Sequence, residues 1–181
     1  MMKVRQVSML CLALTCLLVE PAYAAPTMSP VAEAAVARCI SRASNGKPWL
    51  EMTLWGLRDQ EAGWVGAEIL NANGSHDLGV LQINSSWIPA VARLVRRSPK
   101  EVRQWLRFDP CFNADTARWL FLSALAQTRD YWKAVGLYHS PTEWRQRKYA
   151  ASVAAHLRVR FGACAACLAD GSVYRPGASK P

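Results

Sequence analysis

The sequence predicts a mainly α domain of the α+β type, in which helices build the core and one small β-hairpin lobe interrupts them. Helix-spaced apolar residues and capping signals recur from Ser29 to Phe161. The helical period fails between Gly63 and Asn84, where turn residues gather around Asn73-Gly74.

Ser29-Pro30 caps a first helix running to about Ser44, with Val31, Ala35 and Ile40 on its apolar side and Asn45-Gly46 as its stop. A second helix starts near Pro48. Its Leu50, Leu54 and Leu57 are spaced i, i+4, i+7, and the next position on that face is Glu61. Asn71 to Ser75 and the run Leu78 to Asn84 then predict a small sheet or extended lobe. Helices resume at Ser86. Ser98-Pro99-Lys100-Glu101 is a capping box opening a helix to about Arg107, and Asp109-Pro110 opens a long helix over 111–128 with Trp119, Leu122 and Leu125 on one side. Residues 131–138 and 142–161 predict two more. A lobe set into a helical core is a common place for function, since it is held by a rigid frame yet faces solvent.

With 51% hydrophobic residues the 181-residue chain is no disordered tail, and its length suits one domain. Lys3 and Arg5 precede an apolar run from Val7 to Val19 and then Ala22-Tyr23-Ala24, the pattern of a secretory signal with an A-x-A cleavage site. The run is about a dozen residues, short of the ~20 of a spanning helix, so no integral membrane segment is expected after cleavage. The expected organisation is a signal peptide over 1–24, one domain over 25–168, and a flexible tail over 169–181. Removing the leader takes Lys3, Arg5 and Glu20, so the formal charge of +9 becomes +8.

Cys39, Cys111, Cys164 and Cys167 remain in the mature chain. An even count in an exported protein favours disulfides, with three possible pairings. The preferred one joins Cys39 to Cys111 and Cys164 to Cys167. Zinc is the rival for the C-x-x-C, but no second ligand pair accompanies it and no metal or other cofactor is expected.

Glu61 lies in line with three leucines. Such a carboxyl either reaches solvent at the helix end or is held against apolar neighbours; in the second case desolvation raises its pKa and leaves an acid still protonated near neutrality. Downstream stand Asn73-Gly74-Ser75-His76-Asp77-Leu78-Gly79-Val80-Leu81-Gln82-Ile83-Asn84. Singly, each polar residue there has a structural account as turn former, cap or solvent-facing strand residue.

The combination resembles the lysozyme-like superfamily, and in particular the lytic transglycosylases associated with conjugation and type IV secretion machines. The resemblance covers roughly residues 40–153. It implies that Glu61, closing the second helix, is the catalytic acid and then base. Gly79 to Gln82 matches the family's Gly-x-x-Gln motif, in which Gln82 lines the sugar groove and Gly79 lets substrate approach the backbone. Asp77 and Asn84 are further implied groove residues. Asp109-Pro110-Cys111-Phe112-Asn113 is similar to a D-P-C-x-N helix start whose cysteine pairs with one on the first helix, here Cys39. Residues 134–140 resemble an aromatic A-V-x-x-Y-x-S segment that supplies Tyr138, and Tyr149 matches a late tyrosine facing the acid. The chain departs from the family in having Ala62 where serine usually follows the acid, and in the C-terminal C-x-x-C.

The resemblance implies cleavage of the β-1,4 bond between N-acetylmuramic acid and N-acetylglucosamine in periplasmic peptidoglycan, giving 1,6-anhydromuramyl ends, with secretion or conjugation proteins as possible partners. The same motif resembles c-type lysozymes, where a strand Asp in the place of Asp77 assists hydrolysis. A third reading is a wall-binding module without catalysis. The absence of an eight-cysteine framework and the presence of Tyr138 and Tyr149 favour ring closure. Of the eight tryptophans, Trp55 and Trp119 fit core positions, whereas Trp64 and Trp87 flank the lobe and could face a sugar ring. Basic residues cluster as Arg93, Arg96, Arg97, Lys100, Arg103 and Arg107, and again as Arg145, Arg147 and Lys148. No nucleic-acid motif accompanies them, so solvated helix faces are expected and nucleic acid is not an expected partner.

Overall fold

A computed structural model describes residues 28–162. The predicted signal peptide, the Cys164–Cys167 pair and the tail lie outside the described residues. Among the described residues, seven helices and three short strands follow in the order α1 (Pro30–Ser44), α2 (Pro48–Glu61), β1 (Glu68–Leu70), β2 (His76–Leu78), β3 (Ile83–Asn84), α3 (Ile88–Val95), α4 (Pro99–Phe108), α5 (Pro110–Thr128), α6 (Tyr131–His139) and α7 (Glu143–Phe161). The fold is mainly α with a small antiparallel sheet.

The helix starts follow from local chemistry. Pro occupies the first turn of α1 to α5, where the missing N–H leaves no hydrogen bond unmade. The Ser29 hydroxyl accepts from the Ala32 N–H, the carboxylate of Asp109 accepts from Cys111 and Phe112, and Asp130 accepts from Lys133. The capping box is complete: Ser98 Oγ accepts from the Glu101 N–H while Glu101 Oε2 accepts from the Ser98 N–H.

The lobe is a three-stranded sheet in the order β1-β2-β3 rather than a two-stranded hairpin. Asn71 to Ser75 form the first turn, in which Asn73 Oδ1 accepts from the Ser75 N–H and Gly74 takes a φ of +80°. After β2 the chain reverses through residues 79–82 and returns as the two-residue β3, so that Asp77 pairs with Asn84 and Leu78 with Ile83. A strand of two residues has no period of its own to read in the sequence. A single 3₁₀ turn, Ser85–Trp87, leads into α3.

The long helix α5 is the axis of the domain. Sequence spacing places Trp119, Leu122 and Leu125 on one apolar side; the buried set is wider, with Ala114, Ala117, Leu120, Phe121, Ala124 and Leu125, because α1, α2, α4 and α6 all pack against it. Phe121, Ile40, Leu54 and Leu57 are wholly buried at the centre. A disulfide joins Cys39 on α1 to Cys111 at the start of α5. Helix α7 crosses back over α2, where Arg160 makes two hydrogen bonds to Asp59 (2.6 and 2.7 Å) and lies over the Trp55 ring. Among the described residues no helix is long and apolar enough to cross a membrane.

The disulfide closes a loop between residues 72 apart in sequence. Chain-entropy reasoning assigns such a loop roughly 4 kcal/mol. Replacing both cysteines by serine is expected to lower the unfolding free energy by about 2–4 kcal/mol in a urea titration, with an unchanged far-ultraviolet spectrum below the transition.

Candidate active site

Glu61 is the last residue of α2. Ala62 then adopts the left-handed conformation (φ +49°) and donates its N–H to the Arg58 carbonyl, ending the helix and turning the chain away from the axis. The Glu61 carboxyl is left facing inward beside α7, where the buried Tyr149 donates its hydroxyl to Glu61 Oε1 at 2.5 Å. Burial pushes the Glu61 pKa up; the Tyr149 hydrogen bond opposes that shift and the negative charge of Asp77 adds to it, leaving a value of about 7. The group is therefore near half-protonation at neutral pH. Tyr149 is held well above its ordinary value, by burial first and then by the charge on Glu61, so it remains a hydrogen-bond donor. Tyr138 is also shifted well up by burial and donates to the Leu81 carbonyl at 3.0 Å.

The β lobe supplies the opposite wall. Asn84 Nδ2 donates to Asp77 Oδ1 (2.8 Å) and to Ser75 Oγ (2.9 Å), and Asn84 Oδ1 accepts from the Ser86 N–H, so one amide ties β2, β3 and the 3₁₀ turn together. Gln82 sits at the tip of the reversal with a φ of +47° and donates its amide to the Gly79 carbonyl at 2.7 Å.

Gly79 is required by what lies behind the loop. It has a φ of +68°, and a Cβ there would stand 2.1 Å from the Leu106 carbonyl and 2.5 Å from Asn113 Nδ2. It does not line the cavity, so the predicted role of letting substrate near the backbone gives way to packing against α4 and α5. Gly63 plays the matching part across the loop: a Cβ there would meet the Gly79 carbonyl at 2.2 Å. Asn113, wholly buried, donates to the carbonyls of Leu78 and Leu106 and accepts from the Leu81 N–H, all at 2.8–2.9 Å.

Between the two walls lies an open cavity of about 670 Å³. Glu61, Asp77, Gln82, Asn84 and Tyr138 line it, while Tyr149 reaches it through its hydrogen bond to Glu61. Of the two tryptophans flanking the lobe, Trp87 lines the cavity, 42% exposed and edge-on to Trp119; Trp64 does not line it. No protein-family model and no curated protein matches the chain.

Four contributors were not legible as site residues. Asn113 and Gly63 act on parts of the chain distant in sequence. His139 lines the cavity and stacks on the Tyr149 ring, with centroids 4.6 Å apart and planes within 3°. Burial lowers the His139 pKa, Asp77 opposes and Arg145 assists, so this ring is neutral at neutral pH. Arg145, counted in the sequence among surface cations, also lines the cavity. Among the described residues no group of three or more His, Cys, Asp or Glu could hold a metal ion.

The arrangement can deliver a proton from a half-buried carboxyl and take one back, with a phenol steadying the anion between the two events. Gly79→Ala is expected to lower stability by about 2–4 kcal/mol, measured by chemical denaturation, because both its φ and its space exclude a side chain. Since the folded pKa of Glu61 exceeds the unfolded 4.5, ionising it weakens the fold as pH rises from about 4.5 to about 7. Glu61→Gln should therefore match the parent in stability near pH 4.5 and exceed it by up to about 3 kcal/mol at pH 8, as read from denaturation midpoints.

Proposed function

We propose that this protein is a lytic transglycosylase, cleaving the β-1,4 bond between N-acetylmuramic acid and N-acetylglucosamine in peptidoglycan with Glu61 as both acid and base. The observation that carries this reading is the Glu61 carboxyl, raised to about 7, at the end of a helix and inside a cleft, with a buried phenol as its partner. The motif resemblance supplies the substrate class.

In the first step Glu61 gives its proton to the glycosidic oxygen as the bond to the muramyl C1 breaks, and the N-acetylglucosamine side departs with a free 4-hydroxyl. The carbonyl oxygen of the muramyl acetamido group bonds to C1 and bears the positive charge in an oxazolinium ring. Glu61, now a carboxylate steadied by the Tyr149 hydroxyl, then removes the proton of the 6-hydroxyl. That oxygen bonds to C1, the oxazolinium opens to regenerate the acetamide, and a 1,6-anhydro ring results without consumption of water. Gln82, Asn84 and Tyr138 line the groove that would hold the sugars, and Trp87 offers an aromatic edge or face at its rim.

Hydrolysis with Asp77 as a second carboxylate is the competing reading, favoured by one observation: Asp77 lines the same cavity and its charge acts on Glu61. Ring closure is supported by the hydrogen bond that engages Asp77 Oδ1 with Asn84 across the sheet. The predicted leader and the resemblance also support a periplasmic location and a role in opening the wall locally for a conjugation or type IV secretion machine.

Incubation of the mature chain with sacculi is expected to release muropeptides ending in anhydromuramyl residues, lighter by one water than hydrolysed ends in mass spectrometry; reducing ends alone would establish hydrolysis instead. Glu61→Gln should reduce release at least a thousandfold while the protein stays folded, and Asp77→Asn should retain most of it. Because the reaction begins from protonated Glu61, kcat/KM should fall as pH rises through about 7, approaching tenfold per pH unit.

A further inference from the structure

Behind Tyr149 and His139 lies a second, smaller cavity of about 310 Å³ that the reaction above does not use. His139 and Arg145 line both cavities, so the stacked His139–Tyr149 pair is the partition between them. Its remaining wall includes Gln60 from α2 and Trp144, Lys148 and Ser152 from α7.

The chemistry of this wall is specific. Arg145 and Lys148 form no ion pair among the described residues; the nearby Glu143 is engaged by Arg147 and Asp59 by Arg160. Gln60 Oε1 is buried and has no hydrogen-bond partner among the described residues, although unpaired buried polar atoms are uncommon in folded chains. Trp144 is 57% exposed, with the Arg145 guanidinium 5.3 Å from its ring centroid. Two free cations call for carboxylates, a lone amide oxygen for an N–H donor, and an exposed indole for a flat or aliphatic surface. A short acidic peptide carries all three.

We propose that this second cavity binds the acidic stem peptide borne on the lactyl group of a muramyl residue seated in the first cavity. The inference rests on the proposed glycan cleft and extends it: the enzyme would prefer peptide-bearing strands to bare glycan. One face of Tyr149 meets the His139 ring while its hydroxyl meets Glu61, so the pair between the two cavities stands directly beside the proposed acid.

The test uses the mature chain carrying Glu61→Gln, which leaves the ligand uncut, and calorimetric titration with two soluble fragments. One is a peptidoglycan tetrasaccharide with its peptides; the other is the same tetrasaccharide after amidase treatment, which keeps the lactyl carboxylates. The peptide-bearing fragment should bind about threefold to tenfold tighter, with the margin shrinking as salt is raised. Adding Lys148→Gln or Trp144→Ala, both on the exposed side of α7 and outside the first cavity, should remove most of that margin and leave affinity for the bare fragment unchanged; Lys148→Arg should keep it. Equal affinity for the two fragments, or a margin untouched by Lys148→Gln and Trp144→Ala, overturns the peptide site while leaving the glycan cleft standing. Failure of both fragments to bind overturns the glycan cleft, and the peptide site with it.

Discussion

Asn113 has two N–H donors and a carbonyl oxygen in a place that water does not reach, and every one of them is engaged by the backbone of another segment: Leu78, Leu106 and Leu81. A buried amide with one partner missing would be costly by about 1–3 kcal/mol, so the loop carrying these carbonyls and N–H has little freedom to move. The constraint propagates. Because residues 78–81 are held against α4 and α5, Gly79 has no room for a Cβ and β3 returns in register beside β2. That register sets Asn84 against Asp77, and the same loop presents the Leu81 carbonyl that accepts from Tyr138. One wall of the cleft is thus an extension of the start of α5, whose own position is fixed by the Asp109 cap and the Cys39–Cys111 disulfide.

The other wall is built against the preference of a carboxylate. Glu61 sits at a helix C-terminus, where the backbone carbonyls already concentrate negative charge, and it is taken out of water as well. Its pKa of about 7 reflects mainly the burial. A sequence selected for stability alone would place an apolar or amide side chain on that face of α2, in line with Leu50, Leu54 and Leu57. Such a residue persists because the surrounding helices hold it: α7 is fastened to α2 through Arg160 and Asp59, two residues before Glu61, and brings Tyr149 within reach. The phenol stabilises the anion only partly, which leaves the group near its midpoint where it can both give and receive a proton.

What the sequence made legible follows the range of the interactions involved. Caps are local: Ser98 and Glu101 are three residues apart, and Asp109 accepts from the two residues that follow Pro110, so the helix starts fell close to expectation. Glu61 was legible because its position in the helical period conflicts with its charge. The third strand was not, since two residues carry no alternation and the loop before β3 is anchored by Asn113, 32 residues beyond Leu81. For the same reason the motif suggested Gly79 as a point of substrate approach, whereas its space is filled by Leu106 and Asn113. His139 and Arg145 belong to the site only through the packing of α6 on α7, which periodicity does not predict.

The positive charge shows the same division between amount and placement. Arg103 and Arg107, grouped by sequence with the solvated cations of α3 and α4, both pair with Glu68 and fasten α4 to the first strand. Arg42, Arg58 and Arg160 are likewise engaged by Asp115, Glu33 and Asp59. These cations join one element to another and say little about ligands. Arg93, Arg96, Arg97 and Lys100 remain exposed around the junction of α3 and α4, without ion-pair partners among the described residues, and none of them lines either cavity. Arg145 and Lys148 differ from both groups: they have no ion-pair partner among the described residues, and each lines a cavity. A cation on an open helix face is satisfied by water and salt, whereas one in a cavity beside an unpartnered amide and an exposed indole is placed to select the shape of an anion as well as its charge. The net charge alone would fit many partners; the position of these two residues, one partition away from the Glu61 carboxyl, is what narrows the choice.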